Sequence, residues 1–334
     1  MNDKPDVSVI IPARNEQTNL GMCIDSLVSQ EGVSFEIIVV DDHSEDQTRQ
    51  IAESYPQILV LPARPLPEGW TGKANAIQTA VPFARGEWLL FTDADTIHLP
   101  GSLERSVAEA KEQNVSMLSY SPRQDACTFW ERAIQPVVFA ELNRSFVYGE
   151  INDPTSQSAA ANGQYILISR LAYERIDGHN AVKGSLLEDV ELARAIKRIG
   201  RLRFRYAPDA VAARMYRTLH ELILGWTKNL TALFPNTLGL AIVRLLESLA
   251  LTLGPPLVIV LIYQRRLALA SIAACVTVLC YSGFAGRLSG AGWPFTRSIS
   301  SLLGLPFFVY LLLRSYFSYK IRHNVIWKGR SYQP

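Results

Sequence analysis

Two acidic clusters stand directly after short apolar runs, Asp41-Asp42 after Glu36–Val40 and Asp93-Ala94-Asp95 after Trp88–Phe91. In extended chain Asp93 and Asp95 point the same way, being two residues apart. That arrangement suits a hard cation such as Mg2+ or Mn2+, held by one or two carboxylates and completed by phosphate oxygens. Such an ion neutralises charge building on a departing diphosphate. A lone acid pair after a strand is as often a helix cap or a solvated turn, and Asp-x-Asp alone says little. Two clusters at neighbouring strand ends serve no folding purpose and point to function.

Two further groups belong with them. Gly69-Trp70-Thr71-Gly72-Lys73-Ala74-Asn75 puts glycines, which allow close backbone approach, before a helix start where Lys73 favours an anion. It lacks the earlier glycine of a Walker loop, and the chain has no GxGxxG, which counts against dinucleotide redox chemistry. Lys73 is equally readable as a surface lysine. Glu188-Asp189 follows Ser185, a spacing that predicts an S-x-x-E capping box with Asp189 complementing the helix dipole. A carboxylate held at a helix start is also a well-positioned general base. His179 lies close by in Asp177-Gly178-His179 and could assist it, although a lone histidine more often packs.

The elements that must position these groups alternate between strand and helix. Val7–Ile11, Glu36–Val40, Ile58–Leu61 and Trp88–Phe91 read as buried strands. Asn19–Ser29, Glu45–Ser54, Lys73–Ala84 and Gly101–Gln113 read as helices, the second with a capping box from Ser44 to Gln47. Buried strands alternating with helices predict a mostly parallel, Rossmann-like α/β sheet whose ligands collect at the carboxyl ends of the strands. Further on, Ile166–Ile168 reads as a strand and Val190–Ile199 as a helix ended by Gly200. Thr128–Val147 has large apolar residues at helical spacing, with Pro136 expected to kink or interrupt it.

The 334 residues carry 33 Lys+Arg and 31 Asp+Glu, a net charge of +2 that hides a split. From residue 230 onward there are 10 basic residues and one acid, so this part carries 10 − 1 = +9 and the first 229 residues 23 − 30 = −7. The basic part also holds apolar runs of membrane-spanning length, Leu238–Tyr263, Leu267–Ala285 and Ile299–Leu313. A soluble nucleic-acid binder is thereby disfavoured, since the basic excess lies between and after apolar segments. The four cysteines form no CxxC and fit a reducing compartment, and no signal peptide is expected at the start. His220–Phe234 is amphipathic and suits a bilayer surface. The positive tail favours an even number of crossings, so Leu238–Tyr263 is expected to enter and return, turning at Gly254-Pro255-Pro256. The expected organisation is a catalytic part over 1–213, an interfacial helix over 214–236, transmembrane or re-entrant helices over 237–315 and a basic cytoplasmic tail over 316–334. In that arrangement the protein is a multi-pass inner-membrane protein with its catalytic part in the cytoplasm.

Val9-Ile10-Ile11-Pro12-Ala13-Arg14-Asn15-Glu16, Val39-Val40-Asp41-Asp42-His43-Ser44, Asp93-Ala94-Asp95 and Glu188-Asp189 occur in this order. Together they resemble the family 2 glycosyltransferases of GT-A fold, over roughly the first two thirds of the chain. Pro67–Lys73, the apolar third and Trp327-Lys328-Gly329-Arg330-Ser331-Tyr332 are similar to the membrane-bound subgroup of hopene-associated and carotenoid (diaponeurosporenoate-type) enzymes. The resemblance implies that Pro12, Ala13 and Glu16 line a nucleotide pocket, that Asp42 with Asp41 binds uracil or ribose, and that Lys73 sits near the base or diphosphate. It implies Asp93 nearer the ribose and sugar with Asp95 on a Mn2+ or Mg2+ ion. Asp189 is then the catalytic base, oriented by Glu188, with Asn162, Gly163 and Gln164 bordering the donor sugar and acceptor.

One stretch departs from the family pattern. Many membrane members carry Gln-x-x-Arg-Trp, whereas this chain reads Leu222-Ile223-Leu224-Gly225-Trp226, which argues against a processive polysaccharide synthase. Arg217 and Lys228 are the candidates to supply the missing charge, and with His179 and Trp226 they form the expected acceptor or diphosphate contacts. The implied activity is inverting transfer from a nucleotide sugar, a UDP-sugar in expectation, to an apolar membrane lipid. Transfer to a polyprenyl phosphate or a ceramide-type lipid is the nearer rival, and a non-catalytic membrane-anchored nucleotide-sugar binder the more distant one.

Overall fold

A computed structural model of the protein describes residues 4–333; residues 1–3 and 334, the outer ends of the expected first and last segments, lie outside the described residues. The chain forms two compact units, one running to Asp125 and resuming over Phe146–Met215, the other made of Ala126–Ser145 and everything from Tyr216 onward. Residues 126–145, grouped by sequence with the catalytic part, therefore cluster with the C-terminal helices.

In chain order the first unit begins β1 (Val7–Ala13), α1 (Leu20–Val28), β2 (Phe35–Asp41), α2 (Thr48–Glu53), β3 (Leu59–Pro62), α3 (Gly72–Ala80), β4 (Trp88–Phe91), β5 (Thr96–His98) and α4 (Ser102–Glu112). Next come β6 (Met117–Ser121) and β7 (Arg123–Gln124), and α5 (Phe129–Ser145) follows as part of the second unit. The first unit resumes with α6 (Tyr148–Asn152), β8 (Ile166–Ser169), α7 (Arg170–Arg175), α8 (Glu188–Lys197), β9 (Leu202–Tyr206) and β10 (Val211–Ala213).

Seven strands form one sheet in the order β3-β2-β1-β4-β8-β6-β9. Pairing is parallel except that β8 lies antiparallel between β4 and β6. The apolar strands are buried on both faces. One core holds Val9, Ile11, Val39, Leu90 and Leu118 under α1 and α4, and the other holds Ile10, Ile38, Leu89, Phe91 and Ile168 under α3 and α8. This two-sided burial is what continuous runs such as Val-Ile-Ile require. Strand order reverses at β1, so the crevice between the carboxyl ends of β1 and β4 is the switch point where ligands gather. Because β8 runs antiparallel, the residues just before it, 162–164, reach that same edge.

Two expected caps take another form. α2 begins at Thr48, and Ser44 Oγ instead accepts the Asn15 N–H at 3.1 Å, while Asp46 accepts the Thr48 N–H at 2.9 Å. The loop after β1 presents bare N–H groups, and the side chains of residues 44–48 satisfy them. At α8 the Ser185 hydroxyl accepts the Leu187 N–H at 3.1 Å, and no side chain caps the helix, so Glu188 is left for another partner.

The second unit contains α5, α9 (Leu219–Leu233), α10 (Thr237–Tyr263), α11 (Leu267–Gly290), α12 (Ser301–Lys320), β11 (Val325–Trp327) and β12 (Arg330–Tyr332). α9 starts where Thr218 Oγ accepts the Glu221 N–H at 3.2 Å and the Glu221 carboxylate accepts the Arg217 N–H at 2.8 Å. α10, α11 and α12 are each long and apolar enough to cross a membrane, with mean hydropathies of 2.1, 2.0 and 1.3. The turn expected at Gly254-Pro255-Pro256 is absent, and α10 runs straight through it for 27 residues, roughly 40 Å. Pro255 frees the Leu251 carbonyl from its helical partner, and the Tyr281 hydroxyl of α11 donates to that carbonyl at 2.9 Å. Gly254 lets α11 approach, since a Cβ there would meet the Thr277 side chain. Pro136 is likewise accommodated within a continuous α5.

Four charges join these helices. Arg244 of α10 pairs with Glu141 of α5 at 2.9 Å and with Glu247 at 2.6 Å, and Arg287 of α11 pairs with Glu247 and stands 3.8 Å from Glu141. Signs alternate around the group, so no charge is stranded among apolar helices. The tail forms a β11–β12 hairpin against α9, with Lys228 Nζ 5.2 Å from the centre of the Trp327 ring and the Tyr319 hydroxyl donating to the Lys228 carbonyl.

Candidate active site

β1, β2 and β4 end side by side, and their registers place Ala13 opposite Asp41 and Ile10 opposite Phe91. The Asp42 N–H continues the ladder by donating to the Ala13 carbonyl at 2.8 Å, and Arg14 donates to the Asp42 and His43 carbonyls at 2.7 and 3.0 Å. Pro12 sits at the end of its strand, where a missing donor is tolerated. The Glu16 N–H is taken by Thr48 Oγ1 at 2.7 Å, and its carboxylate accepts from Asn19 at 2.9 Å. Asp41 accepts the Ser44 N–H at 3.3 Å, and both Asp41 and Asp42 are buried. Pro12, Ala13, Glu16, Asp41 and Asp42 thus share one edge of the sheet.

Lys73 gathers the other acids. It is the second residue of α3, whose start is fixed by Thr71: its side chain accepts from the Ala74 N–H at 3.3 Å and its own N–H donates to the Lys183 carbonyl at 2.7 Å. From there Nζ reaches Asp93 Oδ1 at 2.7 Å and Glu188 Oε1 at 2.9 Å. Burial alone would depress the lysine, but Asp93, Glu188 and Asp189 outweigh it and hold the ammonium charged. Glu188, which the sequence reads as half of a capping box, is in fact this lysine's second partner.

Asp189 is tied by backbone donors, with Oδ2 accepting the Gly163 N–H at 2.9 Å and Oδ1 the Val190 N–H at 2.8 Å. Burial and then the neighbouring Glu188 charge push its carboxyl up to about 6, against the opposing pull of Lys73 and the two N–H groups. A carboxylate with that basicity can accept a proton near neutrality. Gly163 makes the convergence possible, because a Cβ there would lie 2.6 Å from Lys73 Nζ.

Asp95 accepts the Gln164 amide at 3.3 Å, Gln124 of β7 donates to the Gln164 side chain at 3.1 Å, and Thr92 donates to the Gln164 carbonyl at 2.8 Å. Asn162 orients the same turn, its side chain accepting the Gln164 N–H at 2.9 Å. Sequence reading passed over Gln124 and quoted Thr71 in its motif without giving it a role.

His179 lies beside this group, close enough to feel the charges of Glu188 and Lys73, and its ring contacts are packing ones. Its ring is buried against Phe91, Nδ1 is 2.9 Å from the Tyr173 hydroxyl, and burial holds its basicity down to about 4. It is a neutral packing residue, the role a lone histidine usually takes. Arg217, Trp226 and Lys228 belong to the helical unit. Trp226 is buried there between Phe139 and Tyr216, Arg217 stands at the start of α9, and Lys228 faces Trp327.

A parallel-dominated sheet with one inserted antiparallel strand, and acids gathered at the strand ends that flank β1, is the arrangement of a GT-A fold. The fold is shared with a mannosyltransferase from Pyrobaculum calidifontis, at a TM-score of 0.53 and 19% identity over 95% of this chain and 87% of that one. The family model described as "Glycosyl transferase family 2" matches residues 8–176, and the chain belongs to that family. A curated relative, 4,4'-diaponeurosporenoate glycosyltransferase of Staphylococcus aureus (strain USA300), is 26% identical over 98% of this chain and 88% of its own length. A likeness to S. aureus TarS spans 68% of this chain and only 40% of that one, at a TM-score of 0.46 and 19% identity.

Proposed function

We propose that the protein transfers a sugar from a nucleotide-sugar donor, a UDP-sugar, to an apolar membrane lipid, with inversion in one displacement. The observation that carries this reading is the half-buried Asp189, held by two backbone N–H groups beside Glu188 and Lys73 and raised to about 6. Its carboxylate takes the proton from an acceptor hydroxyl as that oxygen attacks the anomeric carbon opposite the diphosphate. Lys73 donates to the diphosphate oxygens as the nucleotide leaves, and Gly163 and Gln164 border the sugar. Pro12, Ala13, Glu16, Asp41 and Asp42 form the nucleoside side of the pocket.

Asp93 and Asp95 are the residues that would hold a divalent ion. Among the described residues no three His, Cys, Asp or Glu side chains group closely enough to hold a metal by themselves. Two hard carboxylates whose shell phosphate oxygens would complete fit Mg2+ or Mn2+. When bound, the ion supplies charge neutralisation at the diphosphate. The mannosyltransferase that shares the fold is described in complex with GDP-Man and Mn2+.

The lipid acceptor is supported by three helices of spanning length and by a relative named for an apolar carotenoid acid. An acceptor that is already a carboxylate has no proton to give, and the basic Asp189 favours a hydroxyl. The proposed setting is the cell inner membrane, crossed more than once, with the catalytic part in the cytoplasm. Membranes containing the protein, incubated with tritiated UDP-sugars and Mn2+ and then extracted with organic solvent, test the proposal. Label in the lipid phase is expected, and label confined to the aqueous phase for every UDP-sugar and every added lipid would sink it.

A further inference from the structure

We propose that Lys73 keeps the divalent-cation position closed until a nucleotide diphosphate arrives, so that metal and donor enter together. The inference rests on the reading of Asp93 as a metal-binding residue and adds an order of binding to it. The Lys73 ammonium bonds Asp93 Oδ1 at 2.7 Å and Glu188 Oε1 at 2.9 Å, spanning the first acid of the Asp-x-Asp pair and the acid beside the base. An ion seeking the same Asp93 carboxylate competes with a charge already there, which offsets part of that carboxylate's attraction. The remaining acids are engaged as well: Asp95 accepts the Gln164 amide, and Asp189 is tied to two backbone N–H groups.

The lysine is held in place by more than its two ion pairs. Its helix start is anchored through Thr71 to the Lys183 carbonyl at 2.7 Å, and the missing side chain of Gly163 leaves the space that Nζ fills. A diphosphate changes the balance, because it offers Lys73 anionic oxygens of its own and frees Asp93 for the cation. Lys73 then passes from the carboxylates to the phosphates as the site fills. A carboxylate cluster without such a latch would collect divalent ions whether or not a donor were present.

The test is Mn2+ binding to the full-length protein in detergent micelles, read from the electron paramagnetic resonance signal of free Mn2+, with and without UDP. Wild type is expected to bind Mn2+ weakly alone and strongly with UDP. Lys73→Gln, which removes the charge, should tighten nucleotide-free Mn2+ binding by roughly tenfold, whereas Lys73→Arg should keep the dependence on UDP. Equal nucleotide-free affinities in wild type and Lys73→Gln overturn the latch and leave the glycosyltransferase reading standing. So does wild type that binds Mn2+ as tightly without UDP as with it, a result that decides the matter even if Lys73→Gln does not fold. No Mn2+ uptake by either protein with UDP present overturns both the latch and the metal-assisted reading beneath it.

Discussion

Gly163→Ala isolates the geometry of the carboxylate–lysine cluster, because the added methyl meets one group before any other. Its Cβ would lie 2.6 Å from Lys73 Nζ, 3.4 Å from Asp189 Oδ2 and 3.7 Å from Glu188 Oε1. The last two are ordinary contacts, and the first is not. A comfortable carbon–nitrogen separation is about 3.5 Å, so Nζ must retreat by roughly 1 Å. It is held at 2.7 and 2.9 Å by Asp93 and Glu188, and a retreat of that size forfeits one of the two. The same displacement carries the ammonium away from the diphosphate oxygens it is proposed to meet in the transition state, and a charge-assisted hydrogen bond lost there, worth about 1.5–3 kcal/mol, is about 10- to 150-fold in kcat/KM. Stability should fall by less than the lost bond alone, since the residue is not among those with positive φ and alanine restricts the unfolded chain by about 0.4–1 kcal/mol. Steady-state transfer and a thermal melt on the same detergent preparation separate the two effects. In the double variant with Lys73→Met, the glycine change should add almost nothing to the lysine change. Transfer within about twofold of wild type by a folded Gly163→Ala protein would refute the reasoning.

The carboxyl of Asp189, raised to about 6, must be ionised to act as a base, so kcat/KM should fall as pH drops through that value. Glu188→Gln removes the like charge that helps raise it, and this acidic limb should move to lower pH. His179, neutral and held to about 4, should not contribute, and His179→Gln should leave the limb in place while lowering the melting temperature. In the helical unit, Arg244→Met leaves Arg287 as the one cation for both Glu141 and Glu247 and should cost about 3 kcal/mol, read as a loss of thermal stability in detergent. Tyr281→Phe withdraws the donor from the carbonyl that Pro255 frees, and a smaller loss of about 1 kcal/mol is expected there.

Strands were legible wherever burial on both faces wrote a short apolar run, as at Val9–Ile11 within β1, Ile37–Val40 within β2 and Trp88–Phe91. The acids were legible for the same reason, because a strand end marks a ligand edge whether or not the partner strand is known. What one sequence could not reveal was pairing over long separations. Nothing local says that β8 enters antiparallel and carries Gly163 and Gln164 to the edge formed by β4, or that Glu188 leaves its cap for a lysine 115 positions earlier (188 − 73). The caps at Ser44 and Ser185 failed because loop N–H groups competed for the same hydroxyls. The turn read at Gly254-Pro255-Pro256 failed because a tyrosine on the next helix repairs the proline defect, a tertiary bond that local propensity does not contain. Arg244 and Glu247 interrupt an apolar run, and their partners come from α5 and α11, far away in sequence.

Single-turnover transfer of tritiated sugar from a UDP-sugar to extractable lipid, measured for Asp189→Asn beside wild type with UDP binding followed in parallel, addresses the catalytic assignment most directly. The variant should bind UDP nearly as wild type does and yield almost no labelled lipid. Labelled lipid formed at close to the wild-type rate would show that the proton leaves the acceptor by a route in which this carboxylate has no part.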